Sequence, residues 1–507
     1  MKKIIYIFLA LVLLGTSCST TQKQQNVIDT DNIVLSDLTK LAAYLNNYLR
    51  AQSAGSSIYY MEIAADLVDP GLGYGNRGGA WYRWEWTSET EIGIFPTCYG
   101  GIGQANFIIQ EAAKLVDAGG LTDEEVDELE DDLALAYFTK AYLASRLLFY
   151  YCDLYTSTNI DPTAEGTGLM IVDEFKPSGD ISSYPGRSSL VDSYQWVFDN
   201  LATAKGLLKE IGTVGSIYPT KDACDALKAR LALYMGDNAT AATIASALVN
   251  SGNYPLCEDN GQTIALWTND SGKECIMQMF AQYSNSLPGT YDPGYISYSV
   301  STHLYTPDWI PSAWVKGLYS ATDLRKLNWF EDHTVTFSGV TGNVTLLTKF
   351  PGNPALQAST ATQSSYLQKP KPFRIAEQYL IAAEAYALSG AETSANQYLN
   401  ALKSKRDPSY TETTLSGAAL LTEIRNERTR ELIGEGFRFF DLKRYGQGMT
   451  RTGCQNETVT NVAAGNASAV KMSISANDYR WTQPIPQSEI DANPQMKHQQ
   501  NRGYTSE

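Results

Sequence analysis

Glu377-Gln378-Tyr379-Leu380-Ile381-Ala382-Ala383-Glu384-Ala385-Tyr386-Ala387-Leu388 is followed by Ser389-Gly390 and a second helical run to Leu402. The first run is mostly Ala, Leu, Glu and Gln, good helix formers, and has neither Gly nor Pro. Ser389-Gly390 is a break of two residues, so the next run must fold back antiparallel. The alanines matter as much as the period, because small side chains let two helices approach closely and stack. A second copy of this arrangement lies upstream. Asp222-Ala223-Cys224-Asp225-Ala226-Leu227-Lys228-Ala229-Arg230-Leu231-Ala232-Leu233-Tyr234 turns at Gly236-Asp237 and re-enters an alanine-rich run to Val249. Helix, short turn, Ala-rich helix is the logic of a tetratricopeptide-like repeat. The expected class is mainly α, a helical-repeat framework with long irregular insertions and a small β-hairpin.

Outward from these pairs the helical period recurs. Leu38, Leu41, Ala42, Leu45, Tyr48 and Leu49 follow a Ser36-Asp37 start, and Tyr99 to Ala118 carries Ile102, Ala105, Ile109 and Ala112 on one face. Thr122 and Glu125 form a capping box for a helix reaching about Tyr151. The acidic run Asp123 to Asp132 at its start reads as a solvated face favoured by the helix dipole. Further helices are expected over Leu190 to Ile211, Lys221 to Met235, Ala239 to Asn250, Phe373 to Ser389, Glu392 to Lys405 and Leu415 to Gly434.

Two stretches break the order. Asp66 to Pro96 holds Gly71, Gly73, Gly75, Gly78, Gly79 and a tryptophan cluster, and Tyr283 to Pro372 is rich in Pro, Gly, Ser, Thr and Tyr. The second contains an expected hairpin, Thr334 to Phe337 with Val344 to Thr348 around a turn at Ser338 to Asn343. Long irregular insertions in a rigid scaffold are where binding residues concentrate.

The chain opens Met1-Lys2-Lys3, continues with an apolar run from Ile4 to Leu14, and closes that segment with Gly15-Thr16-Ser17-Cys18. The run is too short to span a bilayer and has the layout of a secretory signal. A cysteine at this place reads as a lipoprotein site, with cleavage before Cys18 and acylation of its thiol, a palmitate-type anchor. The expected division is a signal peptide over 1–17, a polar tether over 18–35 and one large binding domain over 36–507.

The 507 residues carry a net charge of −16, which argues against nucleic acid as a partner. With three histidines and no His-Glu-x-x-His, neither a metal nor another cofactor is expected. Cysteines after Cys18 are scattered without a Cys-x-x-Cys pair, and no disulfide is assigned. Gly73-Tyr74-Gly75-Asn76-Arg77-Gly78 matches a dinucleotide fingerprint in letters alone, for Asp69-Pro70 precedes it and an aromatic run follows.

The C-terminal third resembles the SusD/RagB family. The residues that carry the likeness are Phe373-Arg374-Ile375-Ala376-Glu377-Gln378-Tyr379-Leu380, the run Arg428-Thr429-Arg430-Glu431-Leu432-Ile433-Gly434-Glu435-Gly436-Phe437-Arg438-Phe439-Phe440-Asp441-Leu442-Lys443-Arg444-Tyr445-Gly446, and the ending Pro484-Ile485-Pro486 to Asn493-Pro494 with Gln500-Asn501-Arg502-Gly503-Tyr504. Tyr99 to Asn106 and Asp323-Leu324-Arg325 fit upstream. The resemblance implies a lipid-anchored outer-membrane protein, facing the exterior, that binds oligosaccharides without catalysis. It would pass them to a SusC-like TonB-dependent transporter. A peptide ligand, as in the RagB branch, is the alternative within the family. A lipid-anchored glycoside hydrolase is the alternative outside it, and it would need two carboxylates about 5–10 Å apart in a cleft.

Trp81, Trp84 and Trp86 are the leading candidates for ligand contact, since sugar C–H faces pack on aromatic rings. Asn76, Arg77 and Arg83 lie beside them to bond hydroxyls. The opposite expectation is that these tryptophans pin their loop to the core. A second group combines Tyr291, Asp292, Trp309 and Trp314 with Tyr295, Tyr298, Tyr305, Tyr319 and Asp308. The Glu431, Glu435, Arg438, Asp441, Arg444 cluster reads as structural ion pairs, because arginine depresses a carboxylate pKa and spoils a general acid.

Overall fold

The computed structural model describes residues 33–90, 92–282, 289–292, 294–358, 364–461 and 472–504. The signal segment, Cys18 and most of the tether lie outside the described residues. The framework is a succession of packed helices: α1 (Leu35–Ala51), α2 (Ser56–Ala64), α3 (Ile94–Ala118), α4 (Asp123–Tyr151), α5 (Leu190–Leu207), α6 (Lys221–Met235), α7 (Asn238–Asn250), α8 (Ile375–Leu388), α9 (Glu392–Arg406), α10 (Gly417–Leu432) and α11 (Arg438–Tyr445). Neighbours in sequence pack together, α3 on α4, α4 on α5, α6 on α7 and α8 on α9, and α7 packs on α8 across the long insertion. Among the described residues no helix is long and apolar enough to cross a membrane.

The local signals act as their chemistry requires. Thr122 accepts from the Glu125 amide while Glu125 reaches back to the Thr122 amide, closing the capping box of α4. Gly236, with φ +83°, ends α6 in the left-handed region, and Asp237 caps α7. At the seam of the two hairpins Ala229, Ala232, Ala241, Ala245, Ala382, Ala383, Ala385 and Ala395 are buried together. The repeat expected from those alanines is therefore built as close-packed antiparallel pairs.

The irregular insertions are tied down by short strands. β1 (Val68–Pro70) pairs antiparallel with β3 (Trp309–Pro311), and β2 (Cys275–Met277) pairs with β6 (Phe373–Arg374). The hairpin is longer than expected: β4 (Phe330–Phe337) and β5 (Val340–Leu347) register with Phe337 opposite Val340 and Thr334 opposite Asn343. Its turn is Ser338-Gly339 alone, both at positive φ. Such a two-residue turn matches strand twist, so pairing continues to the tip and the six-residue turn is displaced.

Behind the insertions lies a dense buried charge network. Glu431 accepts from Arg325, Arg374 and Arg406, and Glu274 bridges Arg374 and Arg406. Glu435 holds Arg374 and Lys349. A neighbouring set joins Glu377 to Arg230 and Arg428, and Asp441 to Arg428 and Arg444. Arg438 pairs with Asp66 through both carboxylate oxygens at 2.7 Å, which links α11 to the segment leading into β1. Burial opposes ionisation here, yet the arginines overcome it and hold Glu431, Glu435 and Asp441 below the ordinary carboxylate range. These carboxylates are structural, with no proton to give near neutral pH.

Candidate functional site

Pairing of β1 with β3 brings the two irregular insertions together. The Gly-rich loop 71–79 continues from β1 and lies against the residues that enter β3. Gly71 shows why glycine is needed there: a Cβ would stand 2.5 Å from the Pro307 carbonyl oxygen. From this junction an exposed rim is assembled. Asn76, in left-handed backbone, and Arg77 project from the loop. The Arg77 guanidinium grips both carboxylate oxygens of Asp308, with its side chain 64% exposed over a nearly buried acid. That hydrogen bond raises the Arg77 pKa. Asn76 Oδ1 accepts from Tyr74 Oη at 3.1 Å and from Arg83 Nη1 at 3.0 Å, while Arg83 also pairs with Glu85 at 2.8 Å.

Aromatic faces flank this polar centre on two sides. Tyr59 and Tyr60 of α2 are half-buried with ring centroids 4.4 Å apart. Burial raises the Tyr59 pKa, and Tyr60 and Asp308 add to it. Three residues before Asp308, Tyr305 lies between Tyr298, at 4.7 Å, and the His333 ring, at 3.9 Å and nearly parallel. The Tyr298 hydroxyl meets His303 Nδ1 at 3.0 Å. Tyr298, Tyr305 and His333 are all half-exposed, a short aromatic platform at the edge of the sheet that contains β4 and β5.

The expected tryptophan contacts are corrected by burial. Trp81, Trp84 and Trp86 are 5%, 1% and 3% exposed. Trp84 donates its indole N–H to the Ala64 carbonyl at 2.6 Å and packs on Trp86, Phe439 and Trp481. Trp86 stacks on Trp81 and donates to the Tyr504 hydroxyl at 2.8 Å. The segment forms a short helix, Gly79–Tyr82, followed by a turn with Trp84 at φ +57°. This turn drives the rings inward, so the cluster pins its loop to the C-terminal segment and presents no face to a ligand.

Tyr291 and Trp309 are likewise buried, and the Tyr291 hydroxyl accepts from the Lys371 amide at 2.7 Å. Asp292 is buried and accepts backbone N–H bonds from Gly294 and Tyr295. Trp314 is half-buried, donates to the Asp66 carbonyl at 3.0 Å and lies under the Arg438 guanidinium. Of the expected contacts, Asn76, Arg77 and Arg83 stand on the rim. Tyr59, Tyr60 and His333 join it unforeseen, since a Tyr-Tyr pair inside an apolar helix reads as core.

Two neighbouring acids, Asp292 and Asp308, raise the question of glycosidase chemistry. Burial pushes Asp292 up to about 7, with Asp308 adding to the shift. Asp292 is enclosed, however, with its Oδ1 held by the amides of its own loop, and Asp308 is clamped by Arg77. Neither stands in an open cleft from which to protonate or attack a glycosidic bond. Among the described residues no group of three or more His, Cys, Asp or Glu side chains could hold a metal ion.

The SusD family model matches residues 338–504. The fold is shared over nearly the whole chain with a SusD superfamily protein from Bacteroides thetaiotaomicron, at 23% identity and TM-score 0.75 over 91% of this chain and 99% of that one. A SusD-like carbohydrate binding protein from Bacteroides vulgatus aligns at 19% identity and TM-score 0.72, covering 93% and 99%. Surface glycan-binding protein A from Bacteroides fluxus aligns at 19% identity and TM-score 0.67, covering 93% and 100%. No match was found among curated proteins. The chain thus matches the SusD family model over residues 338–504 and shares, along its described length, the fold of SusD superfamily proteins.

Proposed function

We propose that this protein captures oligosaccharides at the outer surface of the outer membrane, without cleaving them, and delivers them to a SusC-like TonB-dependent transporter. The observation that carries the reading is the rim where the two insertions meet: half-exposed Tyr59, Tyr60, Tyr298 and Tyr305 around the Asn76 amide and the Arg77–Asp308 pair. Rings pack against the C–H faces of sugars, and the amide and ion pair serve hydroxyls. Pairing with Asp308 neutralises Arg77, so the rim suits a neutral sugar better than an acidic peptide. The carbohydrate-binding names of two fold neighbours support the same ligand class.

Capture is tested by calorimetric titration of the detergent-solubilised full-length protein with maltohexaose, laminarihexaose, xylohexaose and mannohexaose. The double variant Tyr298→Ala/Tyr305→Ala should bind about tenfold more weakly, or worse, at unchanged melting temperature. Undiminished affinity would exclude this rim. The anchor is tested separately: Cys18→Ala should release the protein from the membrane fraction, and retention there would refute acylation at that residue.

A further inference from the structure

A second groove lies away from the rim, along α1. It has a volume of about 540 Å³ and shares no residue with the rim. Arg50 lies four residues from Asn46 and three from Asn47, so it neighbours both on the helix surface, and Tyr44 lines the same groove. Tyr218 and Phe280 reach the same groove from two loops. Tyr44 and Tyr218 are 62% and 59% exposed, an unusual condition for large aromatic side chains on a helical scaffold.

The polar groups are arranged, not scattered. Arg50 donates to the Phe280 carbonyl at 3.1 Å and to Asn47 Oδ1 at 2.7 Å. This fixes the guanidinium across the groove and leaves the Asn47 amide N–H groups to donate. Asn46 is only 9% exposed, and its Nδ2 donates to the Ala43 carbonyl at 3.2 Å. Its Oδ1 is buried with no hydrogen-bond partner, and Asn46 is one of the residues that line the groove. Leaving a buried acceptor unpaired is unfavourable, and a hydroxyl donor entering the groove would relieve it.

We infer that this groove is a second oligosaccharide-binding site. Two exposed tyrosine rings supply stacking faces, Asn47 and Arg50 supply donors, and Asn46 Oδ1 supplies an acceptor. That mixture matches a polyol with both C–H faces and hydroxyls. The walls are faces of α1 and α4, the latter through Asp132 and Leu135, and two loop residues, so a peptide backbone finds no strand edge to pair with. The inference rests on the glycan-binding reading of the protein, but not on the rim.

The test uses the same full-length protein and the same four hexaoses. Binding should show two classes of site. Tyr44→Ala/Tyr218→Ala should weaken one class about tenfold or more while the melting temperature holds, both rings being more than half exposed. Asn47→Ala, on an exposed amide, should weaken the same class and serves as a second probe if the tyrosine pair proves unstable. One-to-one binding that is untouched by these variants but lost in Tyr298→Ala/Tyr305→Ala would overturn the second site and leave the rim standing. Binding of none of the four sugars, or binding indifferent to all variants, would overturn both.

Discussion

Trp84 shows how much a single backbone dihedral decides. At φ +57° it lies where an L-residue other than Asn or Asp is uncommon. The conformation persists because the ring is enclosed by Trp86, Phe439 and Trp481, its N–H is satisfied by Ala64, and Arg480 donates to its carbonyl at 3.0 Å. Arg451 closes the same corner, donating to the carbonyls of Ala65, Tyr82, Ile63 and Ala64 with its guanidinium 3.8 Å from the Tyr82 ring centroid. Trp84→Ala should therefore lower unfolding free energy by about 3–5 kcal/mol through cavity formation. Urea denaturation measures it, and a loss under about 1 kcal/mol would show that the ring is not a pin. The fate of this residue was not legible in the sequence. Their closeness in sequence sets Trp84 and Trp86 side by side, and their rings pack at 5.0 Å across the turn. Nothing local tells whether such a pair looks outward or into the core.

At the scale of elements, legibility followed locality. The α6 bounds, the Thr122 capping box and the alanine seam were readable because period, cap and turn act within a few residues. Two helices of the framework escaped. Among the residues of α2, Ser57, Ile58, Met61, Glu62, Ile63 and Ala64 are buried, so no polar stripe marks its period. α11 is short and carries the charges of the buried network. The loop between α10 and α11 explains why Gly434-Glu435-Gly436 stands in the family pattern. Both glycines have positive φ, and their amides donate to the two carboxylate oxygens of Glu62 at 2.6 and 3.1 Å. A Cβ at Gly436 would meet the Ile58 side chain at 2.6 Å. Gly436→Ala should cost about 1–3 kcal/mol from backbone strain, with the clash adding to it. A melting temperature equal to the parent's would refute the claim that this turn requires glycine.

Over the whole molecule the buried charges set the response to pH. Burial disfavours the Glu427 carboxylate, but Arg325 and Arg430 outweigh it and hold its pKa at about 2. Glu431, Glu435 and Asp441 are depressed in the same way. For a depressed acid the folded state binds fewer protons, so its stabilisation is full above the unfolded pKa of 4.5 and lost as pH falls towards 2. Burial drives Glu62 the other way, up to about 7, so its contribution declines as pH rises from 4.5 to 7. The two trends place the stability maximum at about pH 5. Urea midpoints taken between about pH 2 and pH 8 should trace that maximum, with the steeper fall on the acid side. A curve that stays level below about pH 4 would contradict the assigned ion pairs.

Eight of the nine tryptophans are buried, and the ninth, Trp314, is half-covered beneath Arg438. The rim and the α1 groove are lined by tyrosine instead. Light absorbed by the indoles is thus emitted from a dry interior, behind the tyrosines that face outward, with Trp81 5.2 Å from the Tyr60 ring. The native emission should be blue-shifted and shielded from iodide, and saturating sugar should leave its wavelength unchanged. Unfolding in urea should shift it sharply to the red as the cluster around Trp84 meets water. A ligand-induced shift of several nanometres would mean that a tryptophan lies in the sugar's path after all.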